Sequence, residues 1–403
     1  MGSHPTAIEP AGLTERTGIL HPREGDPART EAYLPSPCVQ NHAANIAVLG
    51  NGDLATVWFG GTQEGIPDIS VYFSRLPKGS DRWTVPQKLS DDGTRSEQNP
   101  ILFPTPSGDL WLIWTAQISG NQDTSMVRKR VSHDHGVTWG PIETLFEAPE
   151  GFGLFVRQPP VVLDDGAWVI PVFHCVSVPG AKWVGDRDIS AVRVSADEGR
   201  TWTEHVVPHS LGCVHMNVLK TREGLVALYR SRWADFIYLS RSADGRIWSA
   251  PEATALPNNN SSIQATVLAD GRIALVFNNS SYKDATDRRT GLYDDIEDHS
   301  APVASAAPAV SPEPTGRTAF WGAPRAPLTL ALSADGGRSW PVVRNLEVGD
   351  GYCMTNNSKD GLNREFSYPS ITQTPDGMLQ IAFTYYRRAI KHVRVAPDWA
   401  QAD

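Results

Sequence analysis

The stretches SHDHGVTW (132–139), SADEGRTW (195–202) and SADGGRSW (333–340) share one pattern, S-x-D-x-G-x-x-W, and SADGRIW (242–248) is the same pattern one residue short. SRLPKGSDRW (74–83) reads as a decayed copy. A motif that recurs along a chain marks a repeat architecture. Each residue type has a role in a tight turn. The Asp carboxylate accepts backbone amides across the turn, Gly supplies positive φ, and Trp offers a large apolar face for packing.

Strand-like runs lead into these turns, as in ISAVRVS (189–195) and LTLALS (328–333). Upstream of them a hairpin pattern recurs, an apolar run, an Asp/Gly turn and a second apolar run. It is visible in NIAVLGNGDLATVWF (45–59), PILFPTPSGDLWLIW (100–114), PVVLDDGAWVIPVF (160–173), NVLKTREGLVALY (217–229), ATVLADGRIALVF (265–277) and SITQTPDGMLQIAF (370–383). A hairpin, a third strand, the Ser-Asp-Gly-Trp turn and a fourth strand make one blade of a β-propeller. The sequence therefore predicts an all-β, six-bladed propeller over 41–396, with blades opening near 41, 98, 157, 214, 261 and 366. The last blade has a third strand, IKHVRV (390–395), and no fourth. Segment 1–40, which includes RTEAYL, is expected to supply that strand and close the ring; seven blades are the alternative if it forms more. Residues 397–403 read as a tail. Between Asn279 and Arg325 a short link swells into a long loop, inserted at 280–325, first highly charged and then Ala/Pro-rich. Long loops in compact domains are commonly functional or disordered.

Composition narrows the function. The chain has 403 residues, 36 basic against 45 acidic side chains and a net charge of −9, with no dense Lys/Arg run, which argues against nucleic acid as a partner. No stretch approaches the length of an apolar membrane span. Cys38, Cys175, Cys213 and Cys353 lie far apart, without a metal or redox spacing, and read as small core residues. No signal peptide is visible and localisation stays open.

Propeller geometry sorts side chains without further information. Residues that open each first strand or close each second strand ring one mouth of the channel; the Ser-Asp-Gly-Trp turns lie at the other. The first mouth gathers His42, Asn99, Arg157, Gln158, His215 and Tyr368 from the openings. The closings give Glu64, His174, Arg230, Arg232, Asn279, Tyr386 and Arg387. Cations, imidazoles and amides without an obvious carboxylate pair suit an anionic sugar, because guanidinium forks match carboxylates. The expected assignment makes His42, Tyr368, His215 and Arg157 catalytic and the others substrate-binding. No cofactor and no metal site are expected. A cation such as Ca²⁺ stays open as a structural or substrate-bridging ion; the run Asp294, Asp295, Glu297, Asp298 lacks an EF-hand pattern and reads as a solvated loop.

The S-x-D-x-G-x-x-W pattern is that of the Asp box, and the chain resembles sialidases and related BNR-repeat propellers. NHAANIAVLGNGDLATVWFGGTQEG (41–65), LPNNNSSIQATVLADGR (256–272), FSYPSI (366–371) and YYRRAIKHV (385–393) carry that resemblance. It is also similar to propeller enzymes acting on uronate-containing glycans, including rhamnosyl-glucuronate lyases. Sialidases carry an Arg-Ile-Pro opening the first blade, an acidic Asp after that blade's second strand, and a Tyr opening the last blade. Tyr368 matches the third feature. Asn41 and His42 stand in place of the first, and WFGGTQEG offers Glu64 in place of the second. The resemblance thus implies a carbohydrate-active enzyme that cleaves a terminal sugar from an acidic glycan, with β-elimination as the leading expectation. A glycoside hydrolase or exo-α-sialidase with Tyr368 as nucleophile paired with Glu365 is the alternative, and a non-catalytic glycan-binding propeller is the third possibility.

Overall fold

A computed structural model describes residues 13, 15–178, 180–296 and 316–401. Glu297 and Asp298 of the acidic run, and residues 301–315 of the Ala/Pro-rich stretch, lie outside the described residues. The chain forms a six-bladed β-propeller. Blade one is built from Gln40–Val48, Leu54–Gly61, Ser70–Leu76 and Gln87–Lys88, and blade two from Ser96–Pro104, Leu110–Ile118, Asn121–Ser132 and Glu143–Phe146. In blade three the innermost strand is split into Phe152–Phe155 and Val161–Val162, followed by Trp168–Val176, Ile189–Ser195 and Thr203–Val206. Blade four comprises Cys213–Thr221, Gly224–Ser231, Phe236–Ser242 and Glu252–Pro257, and blade five Gln264–Val267, Ile273–Asn278, Leu328–Ser333 and Val342–Glu347. Blade six combines Phe366–Gln373, Leu379–Tyr385 and Ala389–Val395 with Asp26–Tyr33 and His21–Arg23 from the N-terminal side.

The repeated turns act as clamps. Asp134 accepts from the Thr138 amide at 2.8 Å and from its hydroxyl at 2.5 Å, while Ser132 Oγ accepts the Gly136 amide at 2.8 Å. Asp197 and Asp335 repeat this with Thr201 and Ser339. In the shortened copy Asp244 accepts the amides of Arg246 and Ile247, both at 2.9 Å. Each turn leans on the preceding blade. At Gly136 (φ 82°) an added Cβ would lie 2.4 Å from Phe73 of blade one, and at Gly199 (φ 84°) 2.6 Å from Trp111 of blade two. Glycine is thus required twice over, by φ and by close approach. The decayed copy keeps the docking role, because Trp83 of blade one is buried against blade six and donates to His392 Nδ1 at 3.2 Å.

The ring closes on buried charge. Asp26–Tyr33 pairs antiparallel with Ala389–Val395, register Thr30 to Arg394 through Tyr33 to Lys391. Arg29 and Lys391, both buried, share Glu31 and Glu347. Arg29 pairs with Glu31 at 2.8 Å and with Glu347, and Lys391 reaches them at 3.1 and 2.8 Å. Glu347 belongs to blade five, so the network ties the N-terminal strand to the blades on both sides of the seam. Removing one partner of a buried ion network leaves an uncompensated charge. Glu347→Ala is therefore expected to lower unfolding stability by about 3–5 kcal/mol in denaturant titration. A loss within the range of ordinary surface substitutions would contradict this account of the seam.

Candidate functional site

The hub side chains are aimed by irregular backbone. The innermost strands of blades one, two, four and six each break register, between His42 and Asn45, Gln98 and Ile101, Val214 and Asn217, and Ser367 and Ser370. Inside those breaks Ala43, Asn99, His215 and Tyr368 take left-handed φ of 61°, 50°, 54° and 51°. A bulge re-aims side chains, and non-glycine residues in this conformation are strained. Their repetition around one mouth points to function. Carboxamides on the inner strands brace neighbouring blades. Asn45 Oδ1 accepts the Leu102 amide at 2.8 Å, Asn217 Oδ1 that of Ala265 at 2.6 Å, and Gln264 Oε1 that of Ile371 at 2.8 Å.

Tyr368 is the centre of the cluster. Its Oη accepts from Arg230 Nη1 at 2.7 Å, its ring lies 4.3 Å from that of His42 and 5.8 Å from that of His215, and the Arg157, Arg230 and Arg325 guanidiniums sit 5.2–5.7 Å from its centroid. All are buried. Arg230 donates further to Asn260 Oδ1 at 2.8 Å and lies 3.4 Å from His215 Nε2, but no carboxylate meets it among the described residues, and its Nη2 has no partner. Burial, reinforced by Arg232 and Arg325, pushes its pKa down to about 10. Both ring nitrogens of His42 and Nδ1 of His215 also lack partners. Burial and the surrounding guanidiniums hold both imidazoles well below the ordinary histidine pKa, so both are neutral at pH 7.

The carboxylates are engaged elsewhere in the hub. Glu365 accepts from Arg325 at 2.6 Å, from Arg387 and from Ser367 Oγ at 2.7 Å, and Arg387 also reaches Glu64 at 2.6 Å. Although burial opposes ionisation, Arg325 and Arg387 hold the Glu365 carboxyl well below the usual range. Arg387 is held above the ordinary arginine value by the two glutamates despite its burial. Arg232 forms a separate buried pair with Asp188, with contacts of 2.9 and 2.6 Å to one oxygen.

Five of the expected site residues have partners or positions outside the central cluster. Arg157 does not offer a fork to substrate: its Nη2 donates to the carbonyls of Ala44, Tyr368 and Pro369 at 2.9–3.3 Å and its Nε to Ser262 at 3.1 Å, so it staples blade three to blades one, five and six. Gln158 is a brace as well, donating to Ile263 O at 2.6 Å and accepting from Gln264 at 2.8 Å. His174 alternates with Phe173, which packs on His215; it therefore faces the other side of the sheet, stacked on Phe152 and bonded to Glu204 at 2.9 Å. Asn279 is exposed, and Asn278 takes the inward place, donating to Phe366 O at 2.7 Å. Tyr386 packs on Tyr385 and Phe366. His42, His215, Tyr368 and Arg230 are brought together; Arg387 and Glu64 join them through the Glu365–Arg325 pair, and Asn99 sits at its bulge. Arg325 and Asp188 were not expected. Each lies at the close of a link before a third strand, a position the mouth inventory left out.

The described flanks of the insertion cover this mouth. Trp321 lies 5.7 Å from the Arg230 guanidinium and 5.3 Å from that of Arg232. Tyr293 Oη meets Gln122 at 3.0 Å and Gln98 at 3.3 Å. Asp294 and Asp295 are occupied by Arg289, and Asp295 also accepts the Asn356 amide at 2.6 Å. Among the described residues no group of acidic, His or Cys side chains has the arrangement of a metal site.

Such a frame, with one mouth gathering cations, is that of a sialidase-like propeller. Residues 52–381 match the model of the BNR repeat-like domain, and the chain belongs to that family. No curated protein matches the sequence. Among solved structures, a Hadza microbial sialidase, Hz136, is similar at TM-score 0.64 and 14% identity, covering 90% of this chain and 66% of its own, so the chain spans slightly under two thirds of it. The leech intramolecular trans-sialidase complexed with 2,7-anhydro-Neu5Ac gives 0.61 and 12%, covering 91% of this chain and 69% of that one. A Dyadobacter fermentans protein of unknown function gives 0.61 and 13%, covering 90% and 97%. At these identities the likeness is one of fold.

The neutral imidazoles set a pH dependence of stability. A histidine whose folded pKa is depressed binds fewer protons than the unfolded chain below about pH 6.5, so stability falls as pH drops through that value. Each such residue is expected to contribute a loss of about 1.4 kcal/mol per pH unit there. Denaturant unfolding at pH 7, 6 and 5 checks this: the wild type weakens over that window and His42→Gln weakens less. Equal slopes for the two would contradict a neutral buried His42.

Proposed function

We propose that the protein is a carbohydrate-active enzyme that removes a terminal sugar from an acidic, uronate-containing glycan by β-elimination. The observation that carries this is Arg230, a buried guanidinium with one unpartnered nitrogen and no carboxylate, beside a tyrosine and two neutral imidazoles. A substrate carboxylate on Arg230 Nη2 supplies the missing anion through a charge-assisted hydrogen bond. Neutralising that carboxylate acidifies the proton on the adjacent C5. A neutral imidazole, His42 or His215, accepts the C5 proton. The C–H electron pair becomes the C4=C5 double bond as the C4–O bond breaks. Tyr368 Oη accepts from Arg230, so its own proton is left to pass to the departing oxygen. Atoms balance without water or a cofactor. Because the hub groups are buried beneath Trp321, entry of the sugar requires that flank of the insertion to move.

A second reading has its own observation. Glu365 and Tyr368 both lie against Arg325, a salt bridge of 2.6 Å and a ring contact of 5.5 Å, which is compatible with a tyrosine nucleophile supported by a carboxylate. Against it, Glu365 is held by Arg325, Arg387 and Ser367.

Product chemistry separates the two. On rhamnosyl-glucuronate glycans the ultraviolet band of an unsaturated uronate is expected with the wild type, and Tyr368→Phe is expected to lower its rate of appearance by about 10²–10⁴-fold. Saturated products only, or turnover of a fluorogenic sialoside with no unsaturated product, would replace elimination by hydrolysis.

A further inference from the structure

A cavity of about 520 Å³ opens on the same side of the ring between blade four and the insertion. Its lining combines Trp233, Phe236, Tyr282, Lys283, Arg288 and Arg317. Tyr282 and Phe236 are 44% and 40% exposed, unusual for large aromatics, and Lys283, Arg288 and Arg317 are exposed as well. The one carboxylate among the described lining residues, Asp235, pairs with Arg317 at 2.7 Å. Arg317 also lies 4.9 Å from the Trp233 ring centroid, and Arg288 4.9 Å from that of Phe320. Flat aromatic faces between cations present apolar surface to a sugar ring and charge to its carboxylate.

The cavity is one residue away from the hub. Asn260, at a left-handed φ of 56°, accepts from Arg230 Nε at 2.8 Å with Oδ1 and donates to the carbonyl of Phe320, in the cavity wall, at 2.9 Å with Nδ2. Phe320 N in turn donates to Arg232 O, and Tyr282 N to Ala234 O, both at 2.8 Å. The wall is thus pinned to the segment that follows the strand bearing Arg230.

We infer that this cavity is an outer glycan subsite that holds an anionic sugar further along the same chain whose terminal residue enters the hub. The inference rests on the acidic-glycan reading of the hub and deepens it: the substrate class is an extended acidic polysaccharide, gripped at two places, rather than a short or neutral oligosaccharide. Two linked contacts raise apparent affinity well beyond either alone.

Affinity electrophoresis in gels containing gum arabic, with neutral dextran gels as reference, tests the subsite without requiring turnover. The wild type and Tyr368→Phe are expected to be retarded alike by the acidic polymer and not by dextran. The triple variant Tyr282→Ala, Lys283→Ala, Arg288→Ala, none of them a hub residue, is expected to bind at least tenfold more weakly. Its circular dichroism and melting should match the wild type, and it should turn over a rhamnosyl-glucuronate disaccharide unchanged wherever the wild type does. Retardation of the triple variant equal to wild type, or equal retardation in dextran, overturns the subsite. Rim-dependent retardation without any unsaturated product leaves the subsite standing and removes the elimination reading alone.

Discussion

Arg230 is a guanidinium removed from water with no carboxylate to meet it among the described residues. A buried charge of this kind is costly unless something compensates it. The other hub arginines have been provided for: Arg325 and Arg387 share Glu365, Arg232 has Asp188, and Arg157 is surrounded by carbonyl oxygens. That contrast separates arginines met by carboxylates or carbonyls from one that keeps a nitrogen without a partner, on which the proposed function rests. Burial first, and the surrounding guanidiniums second, keep the two imidazoles neutral.

The propeller tolerates such a centre because its stability is built elsewhere. The interblade contacts are carried by the clamped turns, by Asn45, Asn217 and Gln264 reaching the next blade's backbone, and by the ion network that joins Arg29 and Lys391 to Glu31 and Glu347. Strained bulges at Ala43, Asn99, His215 and Tyr368 persist because the rest of each inner strand is paired.

Much of the fold is legible in the sequence, since a turn needing Asp, Gly and Trp at fixed spacing cannot hide, and six alternating hairpins point to six blades, with a seventh left open by the N-terminal segment. The candidate site was legible only in part. Tyr368, His42, His215 and Arg230 could be named because the ends of inner strands converge on one mouth. Face was the harder question. His174 is a single residue from the hub-facing Phe173, and Asn279 a single residue from the inward Asn278, so period-two alternation reversed both expectations. Arg157 is expected among the catalytic residues, but its partners are backbone carbonyls contributed by blades one and six, far away in sequence, and nothing local announces them. Arg325 and Asp188 come from long links, where neither periodicity nor turn chemistry predicts direction.

The most direct measurement of the central claim is a crystal structure of the Tyr368→Phe protein soaked with a glucuronate-terminated disaccharide. The account predicts the sugar carboxylate within hydrogen-bond distance of Arg230 Nη2, with an imidazole nitrogen of His42 or His215 facing C5. A carboxylate bound instead by Arg325 and Arg387 with Glu365 displaced, or a sugar lodged outside the hub altogether, would contradict it.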